Sequence, residues 1–152
     1  MSRKRFSEMN CPVAQTLEQI GDWWTLLIIR DALNGVKTFT EFQERTGIAK
    51  NILTERLGTL VENGIMVREK TRPEVNRYHY RLTAKGEALL PILIAIIQWG
   101  DQWVYGGEGP LRIVDAKSKE TIRPLTIQAA DGRPLSRAEL RFHPGSAATT
   151  TA

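Results

Sequence analysis

Residues 38–82 read TFTEFQERTGIAKNILTERLGTLVENGIMVREKTRPEVNRYHYRL, and this stretch decides the fold. Its first ten residues predict a short helix, because Thr38 and Glu41 have the spacing of a capping box and two phenylalanines share one face. Gly47 follows, and glycine readily adopts the positive φ angle that a sharp turn out of a helix requires. The stretch therefore begins with a capped helix that ends in a tight turn.

A second helix is predicted directly after this turn. Its apolar residues recur at helical spacing and form one stripe, which consists of Ile52, Leu53, Leu57, Leu60 and Val61. The opposite face carries polar side chains near the helix N-terminus, namely Lys50, Asn51, Thr54 and Glu55. A recognition helix reads base edges in the DNA major groove with this end. Gly64 ends the helix.

An antiparallel hairpin is predicted after Gly64, with one strand on each side of the link TRPEVN. Apolar and polar residues alternate in both strands, and the expected inward face consists of Ile65, Val67, Tyr78, Tyr80 and Leu82. Basic residues cluster on the hairpin, and these are Arg68, Lys70, Arg72, Arg77 and Arg81. Such charges neutralise phosphates when a β-ribbon lies along DNA.

The order of capped helix, turn, second helix and basic hairpin is that of a winged helix-turn-helix. Each part has an ordinary interpretation by itself, since polar helix faces are often only solvated and basic hairpins occur without nucleic acid. Their conjunction within 45 residues favours a sequence-specific DNA-binding regulator. A winged helix that binds protein instead of DNA is the alternative, and a steep salt dependence of DNA affinity would separate the two.

Composition and charge agree with this interpretation. The 152 residues are 41% hydrophobic and 25% charged, as in an ordinary soluble protein. The net charge of +4 permits nucleic-acid binding. Lys and Arg outnumber Asp and Glu by nine to six in residues 37–81 and by seven to four in residues 111–152. The basic character therefore lies in the hairpin region and the C-terminal part.

Catalytic, cofactor-dependent and membrane functions are not expected. The two histidines, His79 and His143, lie beside no cysteine or carboxylate cluster, and no phosphate-binding glycine loop or serine-nucleophile motif occurs. We predict no enzyme activity, no cofactor and no metal site. The N-terminus lacks the apolar core of a signal peptide, and the most apolar run, residues 89–97, is far below the roughly 20 residues that span a bilayer. A cytoplasmic protein is expected.

Further helices are predicted on both sides of this region. Pro12 suits the first turn of one helix, Gly21 ends it, and Asp22 can cap the next, whose apolar sequence WWTLLIIRDALNG indicates a buried central helix. After the hairpin, Thr83 can cap a long helix over residues 83–106.

The apolar side chains of this long helix circle most of its axis, which predicts a dimer. One face is expected to pack on its own domain and the other on a second copy, while Pro91 kinks or restarts the helix. The alternative is a monomer in which the tail covers this surface. The candidates for a dimer seam or an effector pocket are Trp23, Leu93, Ile96, Ile97, Trp99 and Trp103.

The predicted fold class is α+β, mainly α: a winged helix-turn-helix domain with a long C-terminal dimerisation helix and a small β appendage. Residues 1–10 form a basic N-terminal arm, residues 11–106 the winged domain, and residues 107–145 a β-rich extension. Within the extension, Asp131 and Gly132 predict a hairpin turn, and residues 136–140 one helical turn. Residues 146–152 are expected to be disordered.

Four segments carry a family resemblance: CPVAQTLEQIG (11–21), WTLLIIRDALNGVKTFTEFQ (24–43), GIAKNILTERLGTLVENGIMVREK (47–70) and YHYRLTAKGEALLPIL (78–93). They resemble the HxlR-type family of bacterial winged-helix regulators, which are related in fold to MarR-type proteins. The resemblance implies a homodimer that binds a pseudopalindromic operator near the gene it controls. We expect a repressor, with activation as the open alternative. Within it, Lys50, Asn51, Thr54 and Arg56 match the recognition helix, and Arg72 and Arg77 the wing. With Thr38 and Lys70, these are the candidate DNA contacts.

The chain departs from the family pattern in two places. Asp22 and Trp23 stand before Trp24, where the family commonly has a basic residue. Ala49 stands where a serine or threonine often caps the recognition helix, which costs on the order of 1 kcal/mol unless another group caps it.

Cys11 is a candidate redox sensor. It lies at a predicted helix start near Arg3, Lys4 and Arg5, and positive surroundings favour a reactive thiolate. The resemblance implies sensing of oxidants, quinones or aldehydes at this position in some relatives. The resolving thiol would belong to a second subunit or a small molecule. Two alternatives stay open: a cysteine that is merely buried, and a small-molecule effector at the dimer seam.

Overall fold

The elements follow the predicted order, and the computed structural model describes residues 6–145. The helices are α1 (Pro12–Ile20), α2 (Thr25–Leu33), α3 (Phe39–Thr46), α4 (Lys50–Glu62), α5 (Ala84–Glu87) and α6 (Leu90–Val104). Strands β1 (Met66–Lys70) and β2 (Tyr78–Leu82) form an antiparallel pair, and 3-10 turns lie at Phe6–Glu8 and Arg137–Glu139. The described chain divides into two units, residues 6–93 and 94–145.

The helix-turn-helix forms as the sequence predicts. The Thr38 hydroxyl accepts the Glu41 N–H at 3.2 Å, and the Glu41 carboxylate accepts the Thr38 N–H at 3.0 Å, so the capping box is confirmed. Gly47 has a φ of +70° and ends α3 in the left-handed conformation. Residues Ile48 and Ala49 then lead directly into α4.

The core of the first unit centres on α2 and the apolar stripe of α4. Ile28 and Ile29 of α2 are fully buried, which confirms the predicted central helix. Side chains from the other elements that pack there include Phe42, Ile48, Leu53, Leu57, Leu60, Ile65, Met66 and Leu82. The burial of these apolar side chains stabilises the packing of α3, α4 and the hairpin against α2.

The inward face of the hairpin matches the prediction in β2 but differs from it in β1. Met66 pairs with Leu82, Arg68 with Tyr80 and Lys70 with Tyr78, and directly opposed residues share a face. Val67 therefore lies on the other face, and its predicted inward position is wrong. The reason is that β1 begins at Met66, so the alternation starts one residue later than expected.

The sequence predicted that Pro91 would either kink the long C-terminal helix or mark a restart. The structure shows a restart, with Pro91 in the first turn of the new helix. Thr83 caps α5 by accepting the Gly86 N–H at 3.2 Å, α5 ends at Glu87, and α6 begins at Leu90. Gly86 is required at its position, because a Cβ atom there would collide with the carbonyl oxygen of Ile65. Residues 83–106 are thus two helices rather than one.

In the second unit, the extension packs on α6 with little regular structure. The isolated bridges Val114–Thr121 and Gln128–Pro134 are what the described residues retain of the predicted strands. The turn at Gly132, with a φ of +84°, and the helical turn Arg137–Glu139 match the prediction. Residues 1–5, with the predicted basic neighbours of Cys11, and the tail 146–152 lie outside the described residues.

Candidate nucleic-acid interface

The polar face of α4 is open to solvent. Lys50, Asn51, Thr54 and Glu55 are all exposed, while Leu53 and the other stripe residues turn inward. The Thr54 hydroxyl donates to the Lys50 carbonyl at 2.8 Å, which leaves its oxygen free to accept. As predicted, Ala49 provides no side-chain cap. The N-terminal half of α4 can therefore present donors and acceptors to base edges.

Arg56 is placed differently from the other predicted DNA contacts. Its side chain is largely buried, and its Nε lies 3.4 Å from Oδ1 of Asp22. The same Asp22 oxygen accepts the N–H groups of Trp24 at 2.9 Å and Thr25 at 3.0 Å. Arg56 thus joins α4 to the capped start of α2, instead of pointing away from the protein as Lys50 does.

The hairpin, here called the wing (residues 66–82), carries three exposed cations that belonged to the predicted contacts. Lys70, Arg72 and Arg77 all lie at its outer end. Arg68 instead stacks on Tyr78, with its guanidinium carbon 3.6 Å from the ring centroid. The predicted phosphate-binding charge of the wing is therefore concentrated at its tip.

One further wing cation is already paired. Arg81 donates to Glu69 at 2.8 Å, and this bond lowers the pKa of Glu69 and raises the pKa of Arg81. Both side chains are more than half exposed, so the pair is screened by solvent. Arg81 is less suited to phosphate binding than the cations at the tip.

A groove of about 930 Å³ separates the start of α3 from the wing. Its polar lining includes Thr38, Thr40, Arg68, Thr71, Arg72, Asn76, Arg77 and His79. The hydrogen bond from the Tyr80 N–H to the Lys37 carbonyl, at 2.7 Å, fixes the wing beside the residue that precedes α3. Because the groove combines hydroxyls with guanidinium groups, it suits an anionic backbone.

Thr38 has a structural role as well as a place in this groove. Its hydroxyl donates to Glu41 at 2.8 Å, and this bond is the main reason that the pKa of Glu41 is lowered. Backbone N–H groups of Lys37 and Thr38 lower it further. The hydroxyl and the N–H of Thr38 both donate to Glu41, so Thr38 has no donor left for a phosphate while the cap is formed.

Sequence reasoning missed a buried charge in the central helix. Asp31 is fully buried, and its Oδ1 lies 2.9 Å from Nε of Arg30 and 3.5 Å from Nε of Arg45. The contact with Arg45 ties α2 to the end of α3. An acidic residue inside an otherwise apolar helix was the available signal, since such a residue is rarely buried unless it is paired.

The candidate dimer residues separate into three groups. Trp23, Ile96, Trp99 and Trp103 are exposed, with the last two 62% and 71% accessible. Leu93 is buried within the first unit, so it does not belong to an open surface. Ile97 is half-buried and faces the extension. Within the described residues, the extension leaves Trp99 and Trp103 uncovered.

A second groove, of about 670 Å³, lies between α6 and the extension. Of the predicted pocket residues, Ile97 lines this groove. Gln98 and Asp101, which were not predicted, also line it. Gln98 holds the extension by accepting the Leu125 N–H at 2.8 Å and donating to the Arg123 carbonyl at 3.3 Å. The aromatic residues of the predicted effector pocket do not line this groove.

Cys11 precedes α1 and is half-buried. Its side chain makes no capping hydrogen bond to the helix. The thiol is therefore neither fully enclosed nor engaged by the helix start. Separately, no helix among residues 6–145 has the length and apolar character needed to cross a bilayer.

Residues 19–107 match the family model described as HxlR-like helix-turn-helix. The chain belongs to the HxlR family. This match covers the capped helices, the wing and α6 together, and it confirms the resemblance found in the sequence. The HxlR family is one of transcriptional regulators of the helix-turn-helix type.

Individual HxlR relatives agree with this assignment. The HTH-type transcriptional regulator Rv3095 of Mycobacterium tuberculosis is 39% identical over 134 residues, which are 88% of this chain and 85% of the relative. The solved structure of PA1607, a proposed transcription factor, is 41% identical with a TM-score of 0.86 and covers 93% of this chain and all of its own. The redox regulator HypR, in its reduced form, is 31% identical with a TM-score of 0.57 over 64% of this chain and 99% of its own.

Proposed function

We propose that two copies of this chain bind a pseudopalindromic DNA operator as a homodimer and repress the adjacent gene. The observation that carries the proposal is the position of the open polar face of α4 and the cationic wing tip on one compact unit. Lys50, Asn51 and Thr54 are the proposed base-reading side chains. The proposed phosphate contacts are Lys70, Arg72 and Arg77, and Thr38 borders them as the cap of α3.

Two arguments support the dimer. Trp99 and Trp103 expose large apolar surfaces on α6, and such clustered exposure marks protein interfaces. One recognition helix also reads too few base pairs for useful specificity, whereas a two-fold pair reads two half-sites one helical turn apart. A dimer seated on such an operator beside a promoter excludes polymerase, which makes repression the simplest outcome.

Arg56 is proposed to act indirectly. Because it contacts Asp22, it holds α4 against the start of α2 and so fixes the angle at which α4 enters the groove. This assignment differs from that of the exposed cations at the wing tip, which would meet phosphates themselves. Removing Arg56 should therefore alter both folding stability and DNA affinity.

The dimer is tested by sedimentation with Trp99→Glu and Trp103→Glu variants. The unaltered protein should sediment at twice the 17.2 kDa of one chain, and each variant should shift towards the single chain. Phe142→Glu is the matched control, since Phe142 is also exposed but lies in the extension. A wild-type monomer, or equal effects of all three substitutions, would contradict the α6 interface.

DNA binding is tested by selecting operator fragments from genomic DNA and measuring affinity against salt. Six to ten phosphate contacts predict a loss of roughly 10³ to 10⁵ in affinity from 50 to 200 mM salt. Deleting the gene should raise transcription from a promoter that carries the selected fragment. No binding in dilute buffer would favour the alternative, a winged helix that binds protein.

A second candidate function is a response to oxidants through Cys11. It is favoured by the half-buried rather than enclosed position of Cys11 and by the similarity to HypR, which is described as a redox regulator. Oxidation would join Cys11 to the same residue of a second subunit or to a small thiol. The two thiols would together give up two protons and two electrons to the oxidant.

Diamide, an oxidant that accepts these two protons and two electrons, provides the test. Treated protein should show a disulfide-linked species on non-reducing gels and an altered operator affinity, and Cys11→Ser should show neither. If diamide leaves the affinity of the wild type unchanged, Cys11 is not the sensor and a small-molecule effector becomes the alternative.

A further inference from the structure

The extension contributes none of the proposed DNA contacts, and it lies beyond the match to the family model, which ends at residue 107. With α6 it forms the groove of about 670 Å³, whose lining residues all belong to the second unit. Sites for small molecules are commonly clefts of about 300–1,000 Å³. The groove is therefore a candidate site for a ligand of that size.

The carboxylate of Asp101 has a fixed position in the lining of this groove. Its Oδ1 accepts the Gly109 N–H at 2.6 Å, and its backbone carbonyl accepts the Gly107 N–H at 2.8 Å. Gly109 is required at its position, because a Cβ atom there would collide with Oδ1 of Asp101. The described residues make no hydrogen bond to the second carboxylate oxygen, so this oxygen can accept one from a ligand.

Hydrogen bonds also hold the extension segments that line the groove. The Ile122 N–H donates to the Ile113 carbonyl at 3.0 Å, next to the isolated bridge between Val114 and Thr121. Gln98 joins the following residues of the extension to α6. The protein's own bonds therefore shape the groove, and a preorganised site loses little free energy to ordering when it binds.

The lining offers apolar surface as well as this carboxylate. Its apolar side chains are Ile97, Leu111, Ile113, Ile122 and Pro124. Such surface binds hydrocarbon because burial removes apolar area from water. A ligand that fits the groove should therefore have an apolar body.

The charge of the lining favours a cation. Asp101 and Glu108 contribute two negative charges, and Arg112 contributes one positive charge. Asp101 is half-buried while the other two are exposed, so the charge with the most restricted position is a carboxylate. Within residues 6–145, Asp101 forms no ion pair. A partly buried carboxylate without a cationic partner is complementary to a protonated amine.

We propose that this groove binds a small molecule with a protonated amine and an apolar body. The ammonium group donates to the second carboxylate oxygen of Asp101, and the hydrocarbon packs on Ile113 and Ile122. The site differs from the predicted effector pocket at the dimer seam, whose tryptophans do not line it. Binding here involves neither DNA nor a second subunit, so the inference goes beyond the proposed function and stands independently of it.

Calorimetric titration at pH 7 with three probes tests the preference for a cation. Naphthylethylamine, naphthylethanol and naphthylacetate share a ring system and differ in the charge that they carry. The amine should bind roughly tenfold more tightly than the alcohol, as expected for a hydrogen bond between charged groups. Naphthylacetate should bind more weakly than the alcohol, because Asp101 and Glu108 repel it.

Two variants test the role of Asp101. Asp101→Asn keeps an acceptor for the Gly109 N–H but removes the charge, so the affinity for the amine should fall about tenfold while that for the alcohol stays nearly constant. Asp131→Asn is the matched control. Asp131 also accepts a backbone N–H within the extension, from Arg133 at 3.0 Å, but it does not line the groove. This variant should bind all three probes as the wild type does.

Amide chemical shifts of the wild type locate the probe without any substitution. The amine should shift the amide signals of Gly109, Ile113 and Ile122, which line the groove. The amide of Gly132, in the turn of the extension, should not respond.

Three results would overturn the inference. If the amine binds no more tightly than the alcohol, or not at all, the groove does not select a cation. If Asp101→Asn and Asp131→Asn bind the amine equally well, Asp101 is not its partner. If the shifts concentrate at Trp99 and Trp103, the probe occupies the exposed surface of α6 instead. No arm of the test contains DNA, so all three results leave the proposed function intact.

Discussion

Asp22 and Arg56 connect the start of α2 to the recognition helix, with Oδ1 and Nε 3.4 Å apart. Asp22 has two roles, since the same oxygen caps the first amides of α2. The position of α4 on the domain therefore depends on a side chain from the preceding turn as well as on the apolar stripe beneath it.

Asp22→Ala should destabilise the protein by about 1–2 kcal/mol, because the amides of Trp24 and Thr25 lose their acceptor and Arg56 loses its partner. Asp22→Asn keeps an acceptor and should lose less. Urea unfolding measures both. Glu62→Ala, at an exposed position of α4, is the control and should stay within about 0.5 kcal/mol of the wild type. Equal stability of Asp22→Ala and the control would contradict the connection.

Asn51→Ala should relax base preference at one operator position. If the exposed amide pairs with adenine through two hydrogen bonds, discrimination there should fall by roughly 1–3 kcal/mol. Selection of binding sites from randomised duplexes measures the preference at every position. Glu62→Ala should leave the preferences unaltered, and an unaltered preference in Asn51→Ala would refute its role.

Arg77→Ala should weaken binding to all sequences about equally and reduce the salt slope by about one unit, because one phosphate contact is lost. Lys117→Ala removes the same charge from an exposed position in the extension. It should leave the slope nearly constant. Identical slopes for the wild type and Arg77→Ala would remove Arg77 from the interface.

Local features of the fold could be predicted from the sequence. The cap formed by Thr38 and Glu41 and the turn at Gly47 involve residues close together in the chain, whose conformations follow from side-chain chemistry. The contacts of Asp22 with Arg56 and of Asp31 with Arg45 could not be predicted. They join residues distant in sequence, and no periodicity encodes which charges meet.

The wing illustrates a second limit of prediction. Its charges, its two strands and the inward face of β2 were predictable. The inward face of β1 was not, because that face depends on whether β1 begins at Ile65 or Met66. The extension also differs from its predicted structure. Its strand-like sequences form only isolated bridges in the described residues, since short segments gain a regular ladder only with suitably placed partners.

Acid should destabilise α3 through Glu41. Hydrogen bonds from Thr38 and Lys37 lower the pKa of Glu41 in the folded protein, so its contribution to stability is complete above the ordinary value of about 4.3. The contribution is lost as the pH falls through the lowered value. Glu41→Gln should therefore show a smaller loss of stability between pH 7 and pH 3 than the wild type.

Urea midpoints across this pH range measure the effect. Thr38→Ser keeps the hydroxyl and should retain the wild-type pH dependence, while Thr38→Ala should reduce it. Other carboxylates with lowered pKa values, such as Glu69, Asp115 and Glu139, contribute equally to all these variants. Parallel curves for the wild type and Glu41→Gln would show that the capping carboxylate does not respond as proposed.

The stoichiometry of the protein–operator complex tests the central claim most directly. Sedimentation of a selected duplex with excess protein should give two chains per operator, and footprints should show two half-sites with centres about one helical turn, or a multiple of it, apart. A complex with one chain per duplex, or a footprint with only one half-site, would contradict the proposal that two chains bind one operator.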